Sequence, residues 1–410
     1  MKWLLNLTIL TLCMRLPSVS IAIDLGESVQ IHGFLSQGYL HSTDNNFLTN
    51  NSTSGDFEFT EGGLNANWTP LDALRFGGQI YYRKLGDYSE DEIVLDWALI
   101  EYQPFDWLGA RAGKVKMPMG LFNENRDTDF LLPMVFLPQS IYDESRRDAN
   151  LSYIGGGIYG NVPTGSWGDV DYHFFAGEND YPDNSILAQS TENSLNSLIN
   201  KNNANQGKPN YNPLIPSSLN SHKRESEDLY GGALVYNSAL DGLRLGFSLL
   251  TSKSALYVNG DPTPLTKAKV KSKFVLSLEY AWNDLTLVSE YGETDRKTTS
   301  AGVVTMNGPS QSWYLMLNYA PFERWTFSAL YDEFYRLKDD KDGSSRPQSP
   351  DYYGWRKDIG VAARYDLAEN WTLKAEYHNV DGAAMQLGVL NPDGVDRYWN
   401  YFVGKLSFSF

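Results

Sequence analysis

The chain has 410 residues, 50 acidic against 34 basic side chains and a formal net charge of −16, with 42% hydrophobic and 14% aromatic residues. The mean hydropathy is −0.40, and beyond the N-terminus no stretch approaches the roughly 18 apolar residues of a membrane-crossing helix, which excludes a helical membrane protein. The acidic balance argues against nucleic acid as a partner, whereas a wide membrane barrel stays open because its alternate residues face water and lower the average.

Residues 1–22 read as a secretory leader. Lys2 supplies the positive start, Trp3 to Met14 is mostly apolar, and Ser20-Ile21-Ala22 fits a small-x-small cleavage site. Cleavage there removes Cys13, the single cysteine, so residues 23–410 lack disulfides and thiol chemistry. Nothing in the composition divides that remainder into further domains.

From there, period-2 runs recur to the last residue. Strands are expected near 29–40, 57–68, 74–85, 93–103, 108–117, 150–161, 170–178 and 229–237. They continue near 243–254, 270–282, 285–296, 311–320, 325–337, 356–367, 371–380 and 398–410. In the clearest of them, Phe274, Leu276, Leu278, Tyr280 and Trp282 oppose Lys271, Lys273, Ser277 and Glu279. Apolar residues on one face and polar or small ones on the other suit lipid outside and water inside.

Seven aromatic junctions, such as Tyr102-Gln103-Pro104-Phe105-Asp106-Trp107 and Tyr319-Ala320-Pro321-Phe322-Glu323-Arg324-Trp325, turn one strand straight into the next. Longer polar excursions alternate with them. Tight turns ringed by aromatics, facing long loops, suit a closed antiparallel barrel with its aromatics at headgroup level. Seven turns and eight longer loops join sixteen strands, with the tight turns and both chain ends on one side of the membrane.

The loop from Pro118 to Ala149 contains Phe130-Leu131-Leu132-Pro133-Met134-Val135-Phe136-Leu137-Pro138, an apolar run too long to leave in water. Its prolines disfavour a regular helix or central strand. Folding inward against the wall or meeting a neighbouring subunit would each bury it. Around it stand Lys114, Lys116, Glu124, Arg126, Asp127, Arg146 and Arg147 as candidates for a constriction, where opposed charges orient and filter solutes. On the wall, Arg75, Arg83, Lys271, Lys273 and Arg364 are placed inward by their phase, and the inward tally leans basic. The alternative is that neighbouring carboxylates cancel that field. The loop from Asn179 to Asp228 is rich in Asn and Ser and reads as an exposed, partly mobile cover over the mouth.

Catalysis finds little support. None of His32, His41, His173, His222 and His378 falls in a metal-ligand spacing or beside a plausible Ser nucleophile, so no cofactor and no metal are expected. His173, near Asp171 on an inner face, is the one pair to note. Asp339-Asp340-Lys341-Asp342-Gly343 lacks the further acidic positions of a calcium loop and reads as solvated.

In the last strand Phe402, Gly404, Leu406, Phe408 and the terminal Phe410 alternate with Val403, Lys405, Ser407 and Ser409. Such an end is an aggregation-prone edge unless it pairs with the first strand. Here the chain resembles the outer-membrane β-barrel family of Gram-negative bacteria. The resemblance implies that Phe408 and Phe410 are read by the barrel-assembly machinery. Gly113-Lys114-Val115-Lys116-Met117-Pro118-Met119-Gly120-Leu121-Phe122, followed by Arg126-Asp127, resembles the stretch entering the third loop of the phosphate-selective and related porins.

The expectation is therefore an all-β protein: a transmembrane antiparallel β-barrel of about sixteen strands, with short periplasmic turns and long extracellular loops. It would be a porin of the cell outer membrane, without enzymatic activity, passing small hydrophilic solutes or ions passively with a weak anion preference. A substrate-specific channel of the same fold, for a phosphate, sugar or organic acid, is one alternative. A surface adhesin or receptor anchored by the barrel is the other. The implied partners are outer-membrane lipids, the solutes and the assembly machinery. The resemblance also implies a homotrimer, against which the short loop from Gly86 to Glu92 argues.

Overall fold

The computed structural model describes residues 23–24, 28–86, 91–183, 185–345 and 349–410. The leader and Cys13 lie outside these residues, as does most of the loop after Gly86.

A two-residue strand β1 (Ile23–Asp24) lies beside β2 (Val29–Ser42). Then follow β3 (Asp56–Leu71), β4 (Leu74–Leu85), β5 (Ile93–Phe105), β6 (Leu108–Lys116), β7 (Ser152–Pro163), β8 (Gly168–Asn179) and β9 (His222–Ser238). The second half holds β10 (Leu243–Val258), β11 (Thr266–Trp282), β12 (Leu285–Ser300), β13 (Val303–Phe322), β14 (Trp325–Tyr335), β15 (Trp355–Ala368), β16 (Trp371–Asp381) and β17 (Tyr398–Ser409). Each strand from β2 to β17 pairs antiparallel with the next. The ring closes where β17 pairs β2, from Tyr401 opposite Ser42 to Ser409 opposite Phe34. Beyond that register Phe410 still exchanges backbone hydrogen bonds with Gly33, at 2.9 and 3.1 Å. The result is a closed barrel of sixteen strands with no free edge.

All sixteen expected strands are present, and the seven aromatic junctions are its tight turns. Outward side chains such as Leu276, Phe327, Ile359 and Val361 are exposed although apolar. Trp68, Phe105, Trp107, Trp167, Trp282 and Phe322 crowd the tight-turn end, also exposed. An apolar band ending in an aromatic girdle is a surface that hydrocarbon and headgroups cover. No helix among the described residues is long and apolar enough to cross a membrane.

Three details depart from the expectation. The excursion expected between 296 and 311 is a two-residue turn, Ala301-Gly302, with φ of 47° and 79°. Two successive positive φ values match the twist of a tight hairpin, so β12 and β13 rise well past the apolar band. β9 starts at His222 rather than 229. The long loop before it carries a helix, Ile186–Asn203, capped by the Ser185 side chain accepting from the Ala188 amide. Its Leu195 packs on Leu256 and Val258, and its Ile199 packs on Ile215 and Ala301. The taller wall gives this polar segment an apolar seat, so it is a docked helix rather than an exposed, irregular cover.

Candidate functional site

The lumen is built around residues 117–151, the link between β6 and β7. The chain leaves β6 and turns inward at Gly120, where φ is +65° and an added Cβ would lie 2.3 Å from the Tyr142 hydroxyl. Only glycine fits there. The apolar run then crosses the barrel. Leu132, Met134 and Leu137 pack with Tyr142, Val288, Tyr314, Met316 and Leu330. Val135 and Phe136 pack with Phe47, Phe59, Trp399 and Tyr401, the Phe136 and Phe59 rings stacked at 5.6 Å. From Leu132 onward the run is thus packed inside the barrel rather than offered to a neighbouring subunit, while Phe130 and Leu131 at its start stay exposed. The inner wall opposite it is correspondingly apolar, where alternation alone suggested polar and small side chains.

An irregular loop in a lumen cannot satisfy its own backbone, and inward carboxylates do this instead. Glu290 accepts from the Leu121 amide at 2.8 Å and from the Tyr142 and Tyr314 hydroxyls. Glu376 accepts from the Val135 and Phe136 amides. Asp332 accepts from the Ser140 amide at 3.1 Å. In return Asp129, at the start of the run, accepts from Lys374 and Lys405, each at 3.1 Å, and from the Ser407 hydroxyl. Arg364 donates to the Leu132 carbonyl at 3.3 Å and to that of Phe130. Wall residues on five strands from β12 to β17 therefore latch the loop.

Behind the latch Arg356 lies between Asp332 at 3.0 Å and Asp358 at 2.7 Å. His378 bonds Asp358 through Nδ1 at 3.0 Å and stacks on Tyr401. Arg356, Asp358, Glu376 and His378 are all at most 2% exposed. Burial at this level means that each charge depends on its partner.

The charges expected at the constriction are mostly spent on one another. Arg126 is buried and binds Glu144 at 2.8 Å and the Tyr142 carbonyl at 3.1 Å. Asp127 accepts from Lys116 and Gln79. Arg147 pairs with Asp96 at 3.4 Å and lies 4.2 Å over the Tyr81 ring. Arg83 bridges Glu61 and Glu144. Arg126, Asp127, Arg147, Glu61 and Glu144 border a cavity of about 20 Å³, room for about one water. Glu124 is half-exposed and 3.7 Å from Arg111. Lys114 is opposite Ile154, an exposed outward residue, and its ammonium reaches Asp180 at 2.7 Å rather than the lumen centre. Opposed clusters facing across open water are not what this loop displays.

On the wall, Arg75 pairs with Glu101 at 3.2 Å and Arg364 with Asp366 at 2.9 Å. Lys271 does not face inward. A bulge between Val270 and Ser272 shifts the phase, and Lys271 pairs at 3.1 Å with Asp295, which lies opposite Ser272 on the outward face. Lys273 keeps the inward phase. His173 meets the Tyr153 hydroxyl at 3.2 Å, while Asp171 holds Asn161 and Asn237, so the two are not a pair. Phe408 packs on Trp371. No group of three His, Cys, Asp or Glu side chains among the described residues is placed to hold a metal ion.

Glu144 ties the loop's charges together and carries a pH dependence. Burial opposes its ionisation, but Arg126, Arg83 and Arg147 outweigh that and hold its pKa down at about 2, against 4.5 ordinarily. A depressed carboxylate pKa stabilises the folded form above the unfolded value, and this contribution is lost as pH falls from about 4.5 towards 2. The loop is expected to loosen across that window, read as rising trypsin cleavage within 117–151 after brief acid exposure. Glu144→Gln should show the looser loop already at neutral pH, and equal protection of both proteins would contradict this.

No protein-family model matches the chain, and no curated protein does. Solved structures do. The chain is similar to OmpT, an outer-membrane protein of Vibrio cholerae, with TM-score 0.54, 11% identity and coverage of 94% of this chain and 99% of that one. A trimer form of that OmpT matches at TM-score 0.52, with 11% identity over 93% and 99% of the two chains. The outer-membrane channel DcaP of Acinetobacter baumannii matches at TM-score 0.54 with 10% identity over 96% and 100%. OmpF of Salmonella typhi, solved with daunomycin, matches at 0.54 with 13% identity over 93% and 97%. Over nearly its whole length the chain therefore has the fold of these outer-membrane proteins.

Proposed function

We propose that the chain is an outer-membrane pore whose conductance is set by the latched loop 117–151, and that it passes small hydrophilic solutes and ions down their gradients with an anion preference. The observation that carries this reading is the loop itself. A sixteen-stranded barrel is wide enough for an aqueous channel, and here wall side chains hold one loop across the lumen. A barrel serving only as an anchor for an adhesin has no need of that arrangement. The anion preference rests on inward cations beside the loop that have no carboxylate partner.

In this proposal the role is non-enzymatic. His378, enclosed by Asp358, Glu376 and Tyr401, serves the latch rather than chemistry. The leader 1–22 would direct export, and Phe408 and Phe410 would close the barrel during assembly. A homotrimer is part of the proposal, supported by the trimer form of the similar OmpT.

Swelling of proteoliposomes in isotonic solute tests the pore directly. Small sugars and amino acids should enter, at rates falling steeply with solute size. Vesicles that do not swell in any of them would leave the barrel as an anchor.

A further inference from the structure

Lumen cations in this barrel are, with few exceptions, paired. Arg75, Arg83, Lys116, Arg147, Arg356 and Lys405 all meet carboxylates. At the long-loop end the pattern breaks. Lys273 on β11 is opposite Thr294, and Arg296 is the next inward position on β12. Such diagonal neighbours are about 7–8 Å apart. Arg224, near the start of β9, lies over the Tyr181 ring at 5.8 Å. Arg146 projects from the loop, bound to Asp143 at 3.3 Å. Each of these cations feels the positive charge of at least one other.

Arg224, Lys273 and Arg296 have no carboxylate within ion-pair distance among the described residues, and Asp143 is the one acid facing the group. All four cations keep contact with solvent. Like charges held together without compensation destabilise a fold, so such a cluster points to a negative group that comes and goes. Two or more guanidinium forks and an ammonium match an anion with several oxygens and more than one charge, better than a halide.

We propose that Arg146, Arg224, Lys273 and Arg296 form a binding site for a small multivalent oxyanion, such as a phosphate ester or polycarboxylate, at the outer side of the loop. The proposal rests on the pore reading and names its solute class.

Inorganic pyrophosphate is the probe. Added to a planar bilayer holding the full-length protein, it should block the chloride current saturably and reversibly, while propionate, a monovalent anion, should not. Arg296→Gln and Lys273→Gln should each raise the half-blocking concentration by roughly tenfold, as loss of a charge-assisted contact implies. Lys269→Gln removes the same charge from an exposed position on the same strand and should shift it by less than about twofold. Titration calorimetry of the detergent-folded protein reads the site without conduction. Saturable pyrophosphate heat that Arg296→Gln removes, in a protein that carries no current, keeps the site and overturns the pore. Current without saturable block or heat overturns the site, as does a block that the Arg296 and Lys269 variants change equally.

Discussion

Asp129→Ala is expected to raise single-channel conductance by roughly twofold or more, because a sixteen-stranded barrel without an inward loop is a wide aqueous channel. Asp129 takes three donors at once, the Lys374 and Lys405 ammonium groups and the Ser407 hydroxyl. Lys374 is 1% exposed and Lys405 is 5% exposed. Lys405 keeps Glu61 after the substitution, whereas Lys374 keeps only backbone carbonyls. Removing one partner of a buried pair costs about 3–5 kcal/mol. The loop can escape that cost by leaving the wall, since its attachment here is non-covalent. Conductance should therefore rise more than global stability falls. Asp129→Asn, which keeps the shape and an acceptor oxygen, should lie between wild type and alanine. Unchanged current in both variants would mean that this latch does not hold the loop.

Arg356→Ala is expected to have the larger effect on stability. Its guanidinium is 2% exposed, between Asp332 and Asp358, both 1% exposed. Without it two carboxylates remain buried close together, and His378 alone offsets them. The loss is expected at about 3–5 kcal/mol, measured by urea unfolding of the barrel in detergent micelles or lipid vesicles. The double variant Arg356→Ala with Asp332→Asn should recover part of the loss, because one uncompensated charge is gone. If the double variant is no more stable than the single one, burial of unpaired charge is not the cause.

Both variants act on pairings between residues far apart in the chain, which leave no local mark in the sequence. The strands were legible because lipid on one face and a filled lumen on the other impose a period of two, as from Phe274 to Trp282. The turns were legible because headgroup-level aromatics mark them. In the outer parts of β12 and β13 the alternation is lost, since Lys297 to Ser300 is polar throughout and Val303 and Val304 are apolar side by side, so the pattern does not mark the Ala301-Gly302 turn. Strict alternation places Lys271 inward, but the bulge between Val270 and Ser272 breaks that phase. The loop's burial was legible from its apolar run, but its latch was not. Asp129 is separated by more than 240 residues from Lys374 and Lys405, and no local pattern announces such a pairing. Arg126 and Arg147 stood out as pore charges for their position in the loop, yet their carboxylate partners neutralise them. Arg224 precedes the strand expected from residue 229, and Arg296 is the last residue of the one expected over 285–296, where alternation is too short to set its face.

The most direct test of the account is the reversal potential and step size of single channels in a planar bilayer under a potassium chloride gradient. Discrete steps, smaller than those of Asp129→Ala, with a reversal potential on the chloride side are the predicted result. A barrel that inserts but carries no steps, or a reversal potential on the potassium side, would contradict it.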